Sequence, residues 1–376
     1  MIAFAVVFWL AVALVLYTHL GYPLALRALV ATRRRPTLRP GTWEEPPRVS
    51  LIVAAYDEEE VVAAKVSNAL ALDYPRERLQ LIVASDGSRD ATVERARAAG
   101  ADLVLDLPRG GKVAAQNAAT ERASGEILAF SDANSVWAPD ALRHLVEPFA
   151  DPAIAYACGQ VRFLDPGGGN LEGSYWRYEM GVRELESALA GVTAGNGAIY
   201  AVRRDSYIPL RPAGSHDLSL PFLLAKRGKR SLYVPWAAAE EKMVPTLEGE
   251  LARKRRMMVG IWDIVVGEGM LRPGGYPPLY AFEIASHRLL RYATPFLHLI
   301  ALLANLALLG QGWVYAVTFA AQLALLAAAL LGGALPLAPL RVARYYLLTT
   351  ASIAFGFWDR MRHGAPGAWD KAEGTR

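Results

Sequence analysis

The sequence predicts an α/β domain on a mainly parallel sheet with helices on both faces, flanked by apolar transmembrane helices at the N- and C-terminal ends. Three observations predict it. Between Arg48 and about Trp262, short apolar runs alternate with helical stretches, the pattern of parallel strands joined by crossover helices. Three of those runs stop abruptly in acidic residues, at Asp57, Asp86 and Asp132. Both ends of the chain carry long stretches almost free of charge.

The ends account for the composition. The 376 residues are 53% apolar and only 20% charged, with a mean hydropathy of +0.19. From Ile2 to Leu26 there is no Lys, Arg, Asp or Glu, and roughly 20 such residues cross a bilayer as a helix. No basic segment precedes that run, which favours an anchor over a cleaved leader. Arg33, Arg34 and Arg35 follow, so the positive-inside rule puts the next domain in the cytoplasm, at the cell membrane. A second uncharged run from Tyr292 to Leu340 is long enough for two spans, and Tyr345 to Trp358 is a shorter third candidate. Three spans would put the C-terminus outside, whereas Arg360, Arg362 and His363 favour the inside. The boundaries expected are an anchor over 1–32, a cytoplasmic domain over 47–262, an interfacial segment over 263–291, two or three membrane helices over 292–360 and a polar tail over 361–376. The single Cys158 allows no internal disulfide. The pI near 9.1 is assigned to membrane-flanking Arg and a phosphate site. No basic stripe interleaved with aromatics marks a nucleic-acid surface.

The elements follow in order. Val49–Ala55 is the first strand, and Tyr56 to Glu60 opens a helix with an acidic first turn, as the helix dipole prefers. Leu79–Ala84 is the second strand, and Asp90 is expected to cap the next helix. Asp102–Leu107 is a short third strand. Gly110-Gly111-Lys112 leads into a helix through Ala123, and Ile127–Phe130 is the strand delivering Asp132. Ile154–Phe163 and Ala198–Val202 are further strands, with a helix around Trp176 between them. His216-Asp217 opens another helix, and Glu248–Trp262 is a basic one.

Ligand sites of open α/β sheets lie at the carboxyl edge of the strands. Acid-tipped neighbouring strands therefore place Asp57, Glu58 and Asp86 where they accept hydrogen bonds from a base or a ribose. Taken singly, each is as well explained as a helix cap. Asp132 and Asn134 stand two apart on what is expected to be extended chain, so both face one side. Hard oxygen donors in that arrangement suit Mg²⁺ or Mn²⁺. Lys112 follows a glycine pair and can meet a phosphate as a point charge, although GGK lacks the spacing of a Walker A loop. Asp217, at a helix start, is either a dipole-favoured acid or a general base. Arg253 and Arg256 share a helix face and can neutralise a pyrophosphate, or lie on a membrane surface.

The ordered set VSLIVAAYDEEE, VASDGSRDAT, GGKVAAQNAA, FSDANSVWAPDAL, YWRYE, GNGAIYAVRR, HDLSLPFLLAKRG and RKRRM resembles membrane-bound family 2 glycosyltransferases of the GT-A fold. The likeness is to the bacterial branch of cellulose, hyaluronan and poly-N-acetylglucosamine synthases, over about residues 47 to 300. The resemblance implies inverting, metal-dependent transfer of a sugar from a nucleotide-diphosphate donor, typically UDP-linked, to a glycan acceptor. On it, Asp57, Glu58 and Asp86 hold the nucleotide with Lys112 near the donor. Asp132 and Asn134 hold Mg²⁺ or Mn²⁺. Gly195, Asn196, Gly197 and Trp176 lie on the acceptor side, Asp217 is the base, and Arg253 and Arg256 meet the diphosphate. A polyprenyl-phosphate or other lipid acceptor is the alternative within the enzymes, with membrane lipids as partners. A nucleotide-sugar-binding sensor without turnover is the alternative outside them. Three features depart from the family: Asn134 where many relatives have Asp, His216 where an acid is usual, and RKRRM in place of QxxRW.

Overall fold

The computed structural model describes residues 1–32, 43, 45–164, 171–242, 247–335 and 337–364. Arg33–Arg35 and the tail from 365 onward therefore lie outside the described residues, as do the side chains of 171–175, 247–253 and 256. Helices α1 (Ile2–Leu16) and α2 (Tyr22–Thr32) run on through a π-helical turn, Tyr17–Gly21, as one 31-residue stretch. The middle of the chain then alternates strand and helix: β1 (Val49–Ala55), α3 (Val62–Leu70), β2 (Leu79–Asp86), α4 (Thr92–Ala98), β3 (Leu103–Leu107), α5 (Lys112–Glu121) and β4 (Ile127–Asp132). It continues with β5 (Val136–Trp137), α6 (Ala141–Val146), β6 (Ile154–Leu164), α7 (Leu171–Leu189), β7 (Ile199–Arg203), α8 (His216–Lys226) and β8 (Arg230–Lys242). Helices α9 (Leu247–Gly267), α10 (Pro278–Glu283), α11 (Leu290–Ala307), α12 (Trp313–Leu331) and α13 (Ala338–His363) complete the described chain.

The eight strands form one mixed sheet in the order β3-β2-β1-β4-β7-β6-β8-β5. Its first four strands are parallel; β7 runs against both neighbours, β6 and β8 are parallel to each other, and β5 is antiparallel to β8. Both faces are covered, so the central strands read as continuous apolar runs. Alternate residues serve opposite faces. Leu51, Val53, Leu81 and Ala129 pack with Val62, Val66, Leu142 and Leu145, while Ile52, Ile82, Leu128 and Phe130 pack with Val113, Ala119, Leu220 and Leu224.

Register sets the functional edge. Ala55 pairs with Ser85, Ala54 with Asp132, and Ser131 with Ile199. The carboxyl ends of β2, β1 and β4 and the amino end of β7 therefore share one rim, with Asp86, Asp57, Asp132 and the 195–197 turn side by side.

Several local expectations are corrected. Asp57–Glu60 is a turn before α3, whose first turn holds no acid. The amides of Asp57, Glu58 and Glu59 bond instead to Ser88 Oγ (3.0 Å), Thr92 Oγ1 (2.7 Å) and Asp90 Oδ2 (3.1 Å). The N-cap of α4 is Ala91, with Asp90 one residue earlier still accepting from Thr92 N (3.1 Å). Asn134 is in a turn, because β4 stops at Asp132. The parallel half of the sheet is followed by a mixed half that includes two strands not expected from the sequence, β5 and β8. Strand β8 bulges against β6, which Gly159 permits: a Cβ there would sit 2.2 Å from Ala237 O.

Three helical stretches are long and apolar enough to cross a membrane: Ile2–Thr32, Pro278–Ala307 and Trp313–Leu331. The Tyr345–Trp358 segment lies inside α13, which is not among them. Arg255 on α9 instead grips Asp359 on α13 with Nε at 2.6 Å and Nη2 at 2.7 Å. The Ile2–Thr32 helix is tied to the domain through Glu186 of α7. Glu186 is buried and accepts from Tyr22 Oη (2.7 Å) and Thr193 N (3.2 Å), with His287 Nδ1 at 2.7 Å.

Candidate active site

Asp57 is the one non-glycine residue with positive φ (50°) among the described residues. Such a conformation costs about 1–3 kcal/mol, and Asp is among the residues that tolerate it. Its Oδ1 accepts from Arg89 N (2.8 Å), which holds the turn to the 88–90 loop. Glu58 beside it is 6% exposed. Asp86, at the tip of β2, is 2% exposed and spends both oxygens inside the protein. It accepts from Gly110 N (2.7 Å) and Gly111 N (2.9 Å) and is ion-paired to Arg109. Asp86 thus shapes the 109–111 loop that launches α5. Gly111 at φ 93° and Gly87 at φ 70° make the close approach of these loops possible. Arg109 also lays its guanidinium 3.5 Å from the ring centroid of Tyr56, a cation–aromatic pair on the rim.

At the end of β4, Asp132 is ion-paired to Lys112, the first residue of α5. Across the rim, the 195–197 turn enters β7. A Cβ on Gly197 would lie 3.7 Å from Asp217 Oδ2 and 3.8 Å from Lys112 Nζ. Asp132, Lys112, Gly197 and Asp217 therefore meet at one point, brought there from β4, α5, the β7 entry and α8. Asp217 is in the first turn of α8; it accepts from Ser215 Oγ, and its carbonyl accepts from Gly195 N (2.6 Å). Asn196 is 5% exposed, accepts from Arg183 and donates to Gly159 O.

His216 does not face the rim. It is 3% exposed, with Nδ1 2.8 Å from Tyr200 Oη and Nε2 3.1 Å from Tyr207 Oη. Tyr207 donates to Asn117 Oδ1 (2.6 Å), so its oxygen accepts from His216 Nε2–H and Nδ1 accepts from Tyr200. Burial, and secondarily the charge of Lys112, pull its pKa down to about 3. His216 is a neutral strut under Asp217.

Residues 50–208 match the glycosyl transferase family 2 model, which takes in Asp57, Asp86, Asp132 and the 195–197 turn. That stretch is similar to a family 2 glycosyltransferase domain. It is 28% identical over 178 residues to glycosyltransferase AglE of Haloferax volcanii, covering 46% of this chain and 58% of that one. It is 27% identical over 289 residues to an N-acetylglucosaminyltransferase of Rhizobium meliloti, covering 69% and 67%. A Staphylococcus aureus poly-β-1,6-N-acetyl-D-glucosamine synthase is 24% identical over 230 residues, covering 58% and 55%. The matches thus span little more than half of two of these three relatives. Among solved structures, the mannosyltransferase PcManGT of Pyrobaculum calidifontis, in complex with GDP-Man and Mn²⁺, superposes with a TM-score of 0.72 at 24% identity, over 94% of this chain and 99% of that one. The likeness shows a GT-A-like fold.

The donors at this rim that could hold a divalent ion are one carboxylate, Asp132, and the amide of Asn134 in the following turn. No group of three His, Cys, Asp or Glu side chains gathers among the described residues. That fits a magnesium- or manganese-type site, which uses one or two carboxylates and completes its shell with substrate phosphates and water. The Lys112 ammonium against Asp132 shows that the carboxylate is placed to take a cation. Trp176 donates Nε1–H to Val161 O (2.9 Å) and lines a cavity of about 260 Å³ with Gln160, Met180, Glu184, Tyr233 and Pro235. Arg253 and Arg256 belong to α9, with side chains outside the described residues. Sequence reasoning missed the Tyr56–Arg109 pair, Arg183 and Lys65. Only Lys65 left a signal: a Lys in the buried stripe Val62, Val66, Ala69 of α3.

Proposed function

We propose that the chain transfers a sugar, with inversion, from a nucleotide-diphosphate donor to a hydroxyl of a glycan acceptor at the cytoplasmic side of the cell membrane. The observation that carries this reading is the meeting of Asp132, Lys112 and Asp217 around Gly197. An anion-binding lysine and a metal-type carboxylate there face a candidate base across a residue without a side chain, which leaves room for a sugar. On the donor side, the turn of Asp57 and Glu58 takes the base and ribose with the Tyr56–Arg109 pair, and Asp86 acts by folding the loop before Lys112. Asp132 and Asn134 would hold Mg²⁺ or Mn²⁺, which supplies charge neutralisation of the leaving diphosphate when bound. Lys112 assists it as a point charge, with Arg253 and Arg256 assigned to the same anion.

Asp217 takes the proton of the acceptor hydroxyl as that oxygen attacks the anomeric carbon on the face opposite the diphosphate. The Gly195 amide and Ser215 hydroxyl hold the base in place. Two observations support a membrane setting: the apolar helical stretches and the Arg33–Arg35 cluster. A lipid-phosphate acceptor has one observation in its favour. Arg288, near the start of the Pro278–Ala307 stretch, donates Nε–H to Thr193 Oγ1 (2.9 Å), two residues before the acceptor-side turn.

The test is Asp217→Asn in the full chain with nucleotide-sugar donors, reading nucleoside diphosphate release and labelled product. Loss of a general base costs roughly 10²–10⁴-fold in rate, with nucleotide binding retained. Turnover near that of the wild type would remove Asp217 from the role.

A further inference from the structure

Lys65 is a buried charge that the reading above leaves without a task. It lies on the core face of α3, 3% exposed, among Val62, Val66 and Ala69. Burying an ammonium is costly, and no carboxylate lies within salt-bridge distance of it among the described residues. Its Nζ donates to Ser135 O (2.8 Å) and sits 5.2 Å from the ring centroid of Trp137. One helical turn on, Asn68 grips the backbone of Trp137 from both sides: Nδ2 donates to Trp137 O (2.9 Å), and Oδ1 accepts from Trp137 N (3.0 Å). Trp137, 1% exposed, donates Nε1–H to Ala198 O (3.0 Å), next to Gly197.

A chain of fixed contacts therefore runs from α3 through the segment just after Asp132 and Asn134 to the entry of β7. We propose that Lys65 is a positioning residue for the Asp132–Asn134 turn. With Asn68 it locks the chain that leaves the turn, so that the carboxylate and amide are preset for a divalent ion and stay in register with the 195–197 turn. The inference rests on the functional reading above. Burial draws the Lys65 ammonium down to about 7, while the negative charges of Asp132 and Glu241 hold it up. The position thus feels the field of Asp132 without touching it.

The test titrates uridine and guanosine diphosphate into the full chain by calorimetry, with and without Mn²⁺, for wild type, Lys65→Met and Asn68→Ala. Thermal melting monitors folding. Partners that orient metal ligands typically carry 10–100-fold in metal affinity or activity. The expected result is that the Mn²⁺-dependent gain in nucleotide affinity falls about tenfold or more in Lys65→Met and less in Asn68→Ala, with the Mn²⁺-free affinity within about threefold of wild type. Asn68 is half-exposed, so its variant carries the test if Lys65→Met fails to fold. An unchanged gain in a folded variant overturns the proposal. So does an equal fall with and without Mn²⁺, which marks a generally loosened fold. A wild type that binds neither nucleotide sinks the functional reading and takes this inference with it.

Discussion

Gly195→Ala probes how tightly the 195–197 turn is packed against Asp217, the proposed base. A Cβ at Gly195 would lie 1.9 Å from Tyr156 Oη, 2.8 Å from Cζ and 3.0 Å from Cε1. Ordinary contact begins at 3.4 Å, so the oxygen must retreat by about 1.5 Å or the turn must lift. The ring has nowhere to go, since Tyr156 is fully buried and stacks 5.7 Å from Tyr200. Overpacking of this kind costs about 1–3 kcal/mol. The turn gives way at Gly195 N, whose 2.6 Å bond to Asp217 O then stretches. A misplacement of about 1 Å at a reacting group costs on the order of 10²-fold, so kcat falls by that order while donor affinity holds. Tyr156→Phe removes the nearest atom, and because Tyr156 Oη is buried with no hydrogen-bond partner, the single variant is neutral or slightly stabilising. The double variant recovers part of the lost rate. Melting temperatures and nucleoside diphosphate release kinetics read all three. A Gly195→Ala protein with wild-type melting and turnover, or a double variant no better than the single, refutes the reasoning.

Two further predictions concern the same rim. His216 is held near pKa 3 in the folded state against 6.5 as its ordinary value, so between those values the unfolded chain binds the extra proton. Stability therefore rises with pH through this window and is lost as pH falls below 6.5. At about 1.4 kcal/mol per unit the loss approaches about 5 kcal/mol near pH 3. Denaturant midpoints of wild type and His216→Gln at pH 4 and 7 measure it, and the variant is expected to lose less. Gly87→Ala places a Cβ 2.8 Å from Arg109 N at a φ of +70°. It should cost about 1–3 kcal/mol in stability and raise the donor KM, seen in a melt and a donor titration.

Much of the rim was legible because its logic is local. An apolar run ending in Asp names both a buried parallel strand and the residue at its carboxyl end. Three such endings are enough to put Asp57, Asp86 and Asp132 on one edge of a parallel sheet. What was not legible depends on distant partners. Strand β8, with its AAAEEK stretch, has no strand-like alternation, and pairing with β6 and the tolerance of Gly159 make it a strand. The acids after β1 favour a helix start by composition, yet Ser88, Asp90 and Thr92 capture their amides first. The role of Asp86 also turns on a tertiary contact. A carboxylate that looked free for a ligand is already held by Arg109, Gly110 and Gly111, twenty-odd residues on.

The grip of Glu186 bears on how this protein can be handled. Its carboxylate takes one hydrogen bond from Tyr22, inside the Ile2–Thr32 stretch, and two from Thr193, two residues short of the 195–197 turn, with His287 also in contact. A soluble fragment begun after residue 32 would strip the first donor from a fully buried anion, and leaving such a group short of partners costs about 1–3 kcal/mol. The apolar N-terminal helix is thus a structural piece of the domain it packs against. Detergents or nanodiscs that keep it folded would preserve the geometry that a trimmed version gives up.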